Sequence, residues 1–296
     1  MSATPPRVSI CLPTWNGAAE LEELLPRLAE QQLPGGLEIV AVDSSSTDGT
    51  AALLERFAAR VERIAQSDFR HGATRNRIAE LARGEILVFM TQDALPRDPT
   101  TIRSLVAAFD DGVTMGAYAR VLPRADDDAL TARTALAAHE SSAVPLVFER
   151  ATDGRKADES RLTFNNVTSA MRALAWRQLP FPDVSFGEDS TWAERALARG
   201  WRIRFAPEAV VMHAHRYTPR SAYERYKTDA AFRARELGQR VRPSLWSVAK
   251  GLTFEVREDW RFVRAEGRSR SAILRSPFLR GAQVLGQYVG SRATRA

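Results

Sequence analysis

Four short apolar runs, at residues 8–12, 37–42, 61–65 and 86–90, are separated by stretches of helical spacing at 19–32, 50–60 and 73–82. Residues 86–90 are five apolar residues in a row, which predicts a strand buried on both faces, as in a parallel sheet, and 61–65 is the weakest of the four. Leu21, Leu24, Leu25 and Leu28 mark one apolar face of the first helix. Strand and helix in this alternation predict right-handed βαβ units. The second half is less regular. Residues 113–121, 201–205 and 209–212 read as strands, 191–199 as a helix, and another helix begins near Ala129 behind Asp126, Asp127 and Asp128, whose charge suits a helix N-terminus. Residues 149–163 are charged and lack an apolar period, a loop placed to order over a substrate. From Pro219 onward the pattern is helical. The predicted class is α/β, a mixed, mostly parallel sheet with flanking helices and a C-terminal helical appendage. Residues 1–218 form the main domain, with halves at 1–112 and 113–218, and residues 219–296 the appendage.

Polar residues collect at the carboxyl ends of the predicted strands, where open α/β sheets bind ligands. The first strand ends in Pro13-Thr14-Trp15-Asn16-Gly17 and the second in Asp43-Ser44-Ser45-Ser46-Thr47-Asp48-Gly49-Thr50. The third leads to Asp68-Phe69-Arg70-His71-Gly72-Ala73-Thr74-Arg75-Asn76, and the fourth ends in Thr91-Gln92-Asp93. Asp43 can accept a hydrogen bond from a base edge, and Arg70, His71 and Arg75 can pair with phosphate oxygens. Singly, each has a plainer reading: Asp43, Asp48 and Asp93 as caps, Arg75 as a solvated helix charge. Four polar strand ends facing one crevice favour a ligand site. No Gly-x-Gly-x-x-Gly follows the first strand and no Walker sequence occurs, so dinucleotide and P-loop explanations lack their motifs. Further on, Glu188 and Asp189 stand at a helix start, where capping is the plain role, and Asn166 is suited to holding a loop. Trp192 is a sugar-stacking face or core packing. His213 and His215, at i and i+2 on a strand, point the same way, a spacing that serves a metal or simple hydrogen bonding.

Pro-Thr-Trp-Asn-Gly, Asp-Ser-Ser-Ser-Thr-Asp-Gly-Thr, Thr-Arg-Asn and the apolar strand ending in an acid, in that order, resemble the nucleotide-binding half of family-2 glycosyltransferases with the GT-A fold. The resemblance spans roughly residues 7–240. It implies that Asp43 contacts the nucleobase, with Pro13, Thr14, Asn16, Arg70, His71, Arg75, Gln92 and Asp93 around a nucleotide-sugar donor. It also implies an inverting transfer with Asp189 as catalytic base beside Glu188, and Asn166, joined by Trp192, on the acceptor and sugar side. A divalent cation, Mg²⁺ or Mn²⁺, would be bound by Asp93 and His213, with His215 in reserve. The family's Asp-x-Asp falls on Thr91-Gln92-Asp93, so its first carboxylate is missing. A hard cation needs few protein ligands when phosphate oxygens and water complete its shell. Thr-Gln-Asp-Ala followed by Leu-Pro resembles the rhamnosyltransferase subgroup, which implies dTDP-L-rhamnose as donor and a saccharide acceptor, lipid-linked, in bacterial surface polysaccharide synthesis. The competing reading is a noncatalytic nucleotide-sugar-binding or membrane-associated scaffold protein with a degenerate metal motif.

Composition narrows the setting. Hydrophobic residues at 44% and charged residues at 26% describe an ordinary globular chain. Cys11 is the single cysteine, so no internal disulfide and no cysteine-built zinc site can form. No run of eighteen apolar residues occurs, and residues 1–7 are short, polar and proline-bearing, unlike a signal peptide. The expected location is the cytoplasm, at the inner face of the cell membrane. Charge is uneven: residues 216–296 hold 18 Lys and Arg against 7 Asp and Glu, a net of +11, leaving 24 against 29, a net of −5, for residues 1–215. Trp, Phe and Leu beside Arg in that basic region fit an interfacial amphipathic helix or, equally, packing on the domain or in a homo-oligomer. Nucleic acid is not expected, because no helix-turn-helix, zinc or RNA-module signature accompanies the charge.

Overall fold

The computed structural model describes residues 6–57, 60–149, 162–236 and 238–293. Most of the loop expected at 149–163, residues 150–161, lies outside these described residues. Contacts divide the chain into two compact units, Met1–Leu122 with Ala138–His213, and Pro123–Ala137 with Ala214–Ala296.

In the first unit, β1 (Val8–Thr14) lies between β2 (Leu37–Asp43) and β4 (Ile86–Met90), parallel to both, and β3 (Arg60–Arg63) extends the sheet beyond β2 in the same direction. β8 (Thr168–Arg172) runs antiparallel between β4 and β6 (Thr114–Leu122). β9 (Arg202–Met212) is parallel to β6 and carries β5 (Leu95–Pro96) and β7 (Leu146–Phe148) antiparallel. The order is β3-β2-β1-β4-β8-β6-β9-β5, with β7 also on β9. Six strands therefore run one way, and β5, β7 and β8 the other. This is the mixed, mostly parallel sheet expected. Helices α1 (Ala18–Ala29), α2 (Thr50–Arg56) and α3 (His71–Leu81) make the connections between the first four strands.

Both faces of the sheet are covered, which is why β4 reads as an unbroken apolar run. Val8, Ile10 and Leu12 pack with Leu21, Leu24, Leu25 and Leu28 of α1, all without exposed surface. Each buried leucine contributes about 1.5–3 kcal/mol against the entropy of ordering it. On the opposite face Cys11, Val40, Val42, Leu87 and Phe89 join Ile78 of α3 and Trp192 of α7 (Glu188–Ala198). Burial pushes the Cys11 thiol well above its ordinary range, so it is a core residue rather than a nucleophile. The two strands expected at 201–205 and 209–212 are one strand, β9. Its register against β6 jumps from Ala119↔Ala206 to Arg120↔Val210, so the residues around Pro207 bulge out of the ladder. Proline has no N–H to give the ladder, which makes it a break in the sequence pattern but only a bulge in the strand.

The second unit is helical: α5 (Ala129–Leu136), α8 (Pro219–Glu236), α9 (Leu245–Ala265) and α10 (Ser271–Gly290). Asp128, the last of the acidic triplet, caps α5 by accepting from the N–H groups of Leu130 and Thr131, the cap-type role expected of it. α10 approaches α8 closely at Gly286 and Gly290, where a Cβ would press on the backbone oxygens of Tyr223 and Lys227. Among the buried residues is a charge cluster. Arg280 makes two 2.8 Å hydrogen bonds to the Asp259 carboxylate, and Ser276 and Arg133 also reach it. Burial would raise the Asp259 carboxyl, yet Arg280, Ser276 and Arg133 outweigh it and hold it below the usual range. No helix among the described residues is long and apolar enough to cross a membrane.

Candidate active site

The loops that follow β1 and β2 are sewn together by side chains. Asp43, at the end of β2 and wholly buried, accepts from the hydroxyls of Thr14 and Ser46, from the Ser46 N–H at 2.9 Å, and faces Arg63 at 3.6 Å. Asn16 takes a left-handed φ of 43° and its side-chain oxygen accepts from the Thr47 N–H at 2.9 Å. Ser46 in turn accepts from the Asn16 N–H. Asp48 caps two helices at once, accepting from the Ala18 N–H at the start of α1 and from the N–H and hydroxyl of Thr50 at the start of α2. Those bonds, the Thr50 hydroxyl foremost, hold the Asp48 carboxyl below the usual carboxylate range. Pro13 is half-buried and Thr14 buried on the same loop.

Beside this loop, at the end of β4, the Gln92 amide meets the backbone of Trp15. It accepts from the Trp15 N–H at 3.0 Å and donates to the Trp15 carbonyl at 3.2 Å, as another peptide unit would. Its carboxamide lies over Gly17, where a Cβ would come within 2.4 Å. Asp93, the next residue, has one carboxylate oxygen 3.3 Å from Nε2 of His213, the residue after β9. His213 is buried, while the Asp93 side chain is 31% exposed, so the pair opens on the acid's side. One carboxylate oxygen and one imidazole nitrogen, placed to converge, are a donor set that fits a divalent cation. Glu140, in a short 3-10 turn (His139–Ser141), is a carboxyl that the pattern reading missed. Burial raises its pKa, and the charges of His139 and His213 oppose that rise. It lies in an irregular stretch without periodicity, so no sequence signal marked it.

The third group centres on α7. Gly187, at φ 74°, turns the chain into that helix in the left-handed region open to glycine, and Glu188 and Asp189 occupy its first turn. Glu188 is buried and pairs with Arg75 of α3 at 2.8 Å; Arg75 is buried as well. The Asn166 side chain donates to the same Glu188 oxygen at 3.1 Å, and the Asn166 N–H donates to Asp189 at 3.1 Å. Ser169 fixes the Asn166 side chain by donating to its oxygen at 2.7 Å. Asp189 itself is half-buried. Withdrawal from water and the neighbouring charge of Glu188 push its carboxyl up to about 6, against the pull of the Ser190 N–H, Arg75 and the Asn166 N–H. A carboxylate with a pKa in that range is poised to accept a proton near neutral pH.

The remaining residues singled out from sequence have these surroundings. Trp192 is not a sugar platform: it has no exposed surface, packs on Phe164 and Phe181, and donates its indole N–H to the Leu179 carbonyl. A bulky aromatic with its one donor satisfied belongs to the core. Arg75 is not a solvated helix charge: it is buried, and its Nη1 donates to Glu188 at 2.8 Å. Arg70 is exposed and pairs with Asp183 at 3.1 Å, and His71 is exposed at the first position of α3, edge-on to Phe69. His215 belongs to the second unit, where its ring lies 5.9 Å from that of Tyr217. Asn76, third in Thr-Arg-Asn, holds the segment before α7: its side chain donates to the Phe181 carbonyl and accepts from the Phe181 N–H and the Trp176 indole.

Residues 9–176 match the model of "Glycosyl transferase family 2". The chain is 27% identical over 237 residues to "O-antigen chain rhamnosyltransferase RfbN" of Salmonella typhimurium, covering 77% of this chain and 73% of that protein. In fold it is similar to the mannosyltransferase PcManGT of Pyrobaculum calidifontis, solved with GDP-Man and Mn²⁺, at a TM-score of 0.62 and 20% identity over 97% of this chain and 86% of the other. The TarS protein of S. aureus, residues 1–349 with UDP-GlcNAc, superposes at a TM-score of 0.54 and 17% identity over 96% and 90% of the two chains. These neighbours give the sheet its class, the GT-A fold expected from the strand-end motifs. With more than half its length matched by the family model, the chain belongs to glycosyl transferase family 2 and is a glycosyltransferase.

Proposed function

We propose that this enzyme moves L-rhamnose from dTDP-L-rhamnose, with inversion, to a hydroxyl of a lipid-linked saccharide acceptor in bacterial surface polysaccharide synthesis, working in the cytoplasm at the inner face of the cell membrane. The observation that carries the chemistry is Asp189 at the first turn of α7, raised to about 6 by burial and by Glu188. Asp189 takes the proton of the acceptor hydroxyl as that oxygen attacks the anomeric carbon. The bond from that carbon to the diphosphate oxygen breaks on the opposite face, so a single displacement inverts the centre. Asn166 orients both acids through its N–H and side-chain amide. The likeness to an O-antigen chain rhamnosyltransferase supports the choice of sugar and product.

On the donor side, Thr14, Asn16 and Asp43 shape the mouth of the loops that would receive the nucleotide, with Arg70 and His71 exposed at the start of α3 for its phosphates. Asp93 and His213 would hold Mg²⁺ or Mn²⁺. Such an ion supplies charge neutralisation on the diphosphate leaving group. Gln92 ties the Trp15 backbone to the end of β4. The test is a donor panel: binding of dTDP-rhamnose, UDP-sugars and GDP-sugars, each with Mg²⁺, with Mn²⁺ and with chelator. dTDP-rhamnose is expected to bind tightest and to lose affinity on chelation. Tighter binding of a UDP- or GDP-sugar overturns the donor, and affinity indifferent to chelation overturns the metal.

A further inference from the structure

The second unit exposes more large apolar side chains than the first. Of the fourteen large hydrophobic residues exposed among the described residues, eight lie on α9 and α10. On α10, Leu274, Phe278, Leu285 and Val289 follow one another at steps of four, seven and four, a single exposed stripe, with Leu274 and Phe278 at 76% and 73% exposure. α9 adds Trp246 at 73% and Trp260 at 44%. Between the helices an apolar groove of about 480 Å³ is lined by Leu252, Val256, Trp260, Ile273 and Pro277. Exposed patches of this kind mark interaction surfaces.

Charge identifies the occupant. Over residues 245–290 the exposed ionisable side chains are Lys250, Arg257, Arg261, Arg264, Arg270 and Arg275 against one exposed acid, Glu266. Of the remaining acids, Asp259 and Glu255 point inward, to Arg280 and Arg133, and the partly exposed Glu258 pairs with Arg261 at 2.7 Å and lies 3.9 Å from Arg257, so the surface stays basic. α10 contains no acid at all. Arg264 lies 4.6 Å over the ring of Trp260, an indole under a cation, the pairing suited to a wet apolar boundary. A second copy docking by the same patch would set this basic rim against itself, since a two-fold interface brings each surface to its own image. An anionic bilayer neutralises the rim and takes the Trp, Phe and Leu side chains into its headgroup boundary.

We propose that the exposed face of α9 and α10 is a peripheral docking surface for an anionic lipid bilayer, with the helices lying in the interface plane. This deepens the membrane part of the proposed function and rests on it. The test uses the full chain and vesicles of phosphatidylcholine with and without phosphatidylglycerol, read by flotation and tryptophan fluorescence. Transfer to a soluble acceptor analogue is measured in parallel. Binding is expected only with phosphatidylglycerol, with a blue shift of the emission and release by salt. Phe278→Ser and Trp260→Ser should weaken it strongly, and Arg257→Gln or Arg270→Gln by about fivefold each, the cost of one basic residue at an anionic surface. All four variants keep transfer to the soluble analogue. Equal binding to neutral vesicles overturns the proposal, as does no binding to either. So does a concentration-dependent dimer, abolished by Phe278→Ser, in a protein that never binds vesicles. Vesicle binding without any transfer leaves the surface standing and removes the proposed donor and acceptor instead.

Discussion

Asp43 and Asp48 in the loops after β1 and β2, and Glu188 and Asp189 at the start of α7, stand at one edge of the sheet, yet they are held in opposite ways. Asp43 and Asp48 have donors in plenty, from Thr14, Ser46, Thr50 and the N–H of Ala18, and Asp48 is held below the usual carboxylate range. Glu188 and Asp189 share their donors, Arg75, Asn166 and the Ser190 N–H, while each suffers the other's charge, and Asp189 rises to about 6. A carboxylate saturated with donors organises backbone. One short of donors and beside a like charge becomes a base.

The contrast can be broken from either side. The largest effect is expected for Asp189→Asn, which keeps the shape of the site and removes the base: turnover should fall roughly 10²–10⁴-fold with donor affinity unchanged. Near-normal turnover there would take Asp189 out of the chemistry. Arg75→Met leaves Glu188 buried without its partner and should cost about 3–5 kcal/mol in a denaturation curve, while the double change with Glu188→Gln should recover much of it. A double variant as unstable as the single would mean that the pair is not what holds α3 to α7. Asp93→Ala should weaken metal-dependent donor binding by at least the roughly 10–100-fold that loss of an outer-shell partner costs; calorimetry with and without chelator reads it. The smallest effect belongs to the saturated group. Asp48→Ala removes a helix cap and should cost about 0.5–2 kcal/mol with transfer retained. Because the Asp48 pKa is lowered on folding, that stabilisation is present above the ordinary carboxylate pKa and lost as pH falls through the folded value, so mutant and parent curves should converge in acid.

The parallel half of the sheet was legible because its signals are local. Mainly apolar strands with polar ends recur along the first ninety residues, and β1, β2 and β4 lie within a residue or two of where the pattern puts them. β9 was not, because Pro207 looks like a terminator in sequence and is a bulge in the sheet. The candidate site was legible in its residue types and not in its pairings. Glu188 and Asp189 were picked out as neighbours at a helix start, but that Arg75, more than a hundred residues away, is spent on Glu188 is a fact of packing. Trp192 shows the same limit, since an indole one turn into the helix begun by Glu188 and Asp189 reads equally as a sugar-stacking face or as core until its burial is known. Gln92 carried a further message: the residue beside the missing carboxylate of the metal motif acts as a peptide mimic for Trp15.

The central claim, that Asp189 is the base and that Glu188 and burial set its pKa, is tested most directly by the pH dependence of kcat/KM in the parent enzyme and in Glu188→Gln. The carboxylate form is the active one, so kcat/KM should rise with pH through an acid limb near pH 6 in the parent. Removing the Glu188 charge takes away a repulsion that raises Asp189 and frees Arg75 to lower it, so the limb should move to lower pH in the variant. An acid limb that stays where it is, or moves up, would contradict the account.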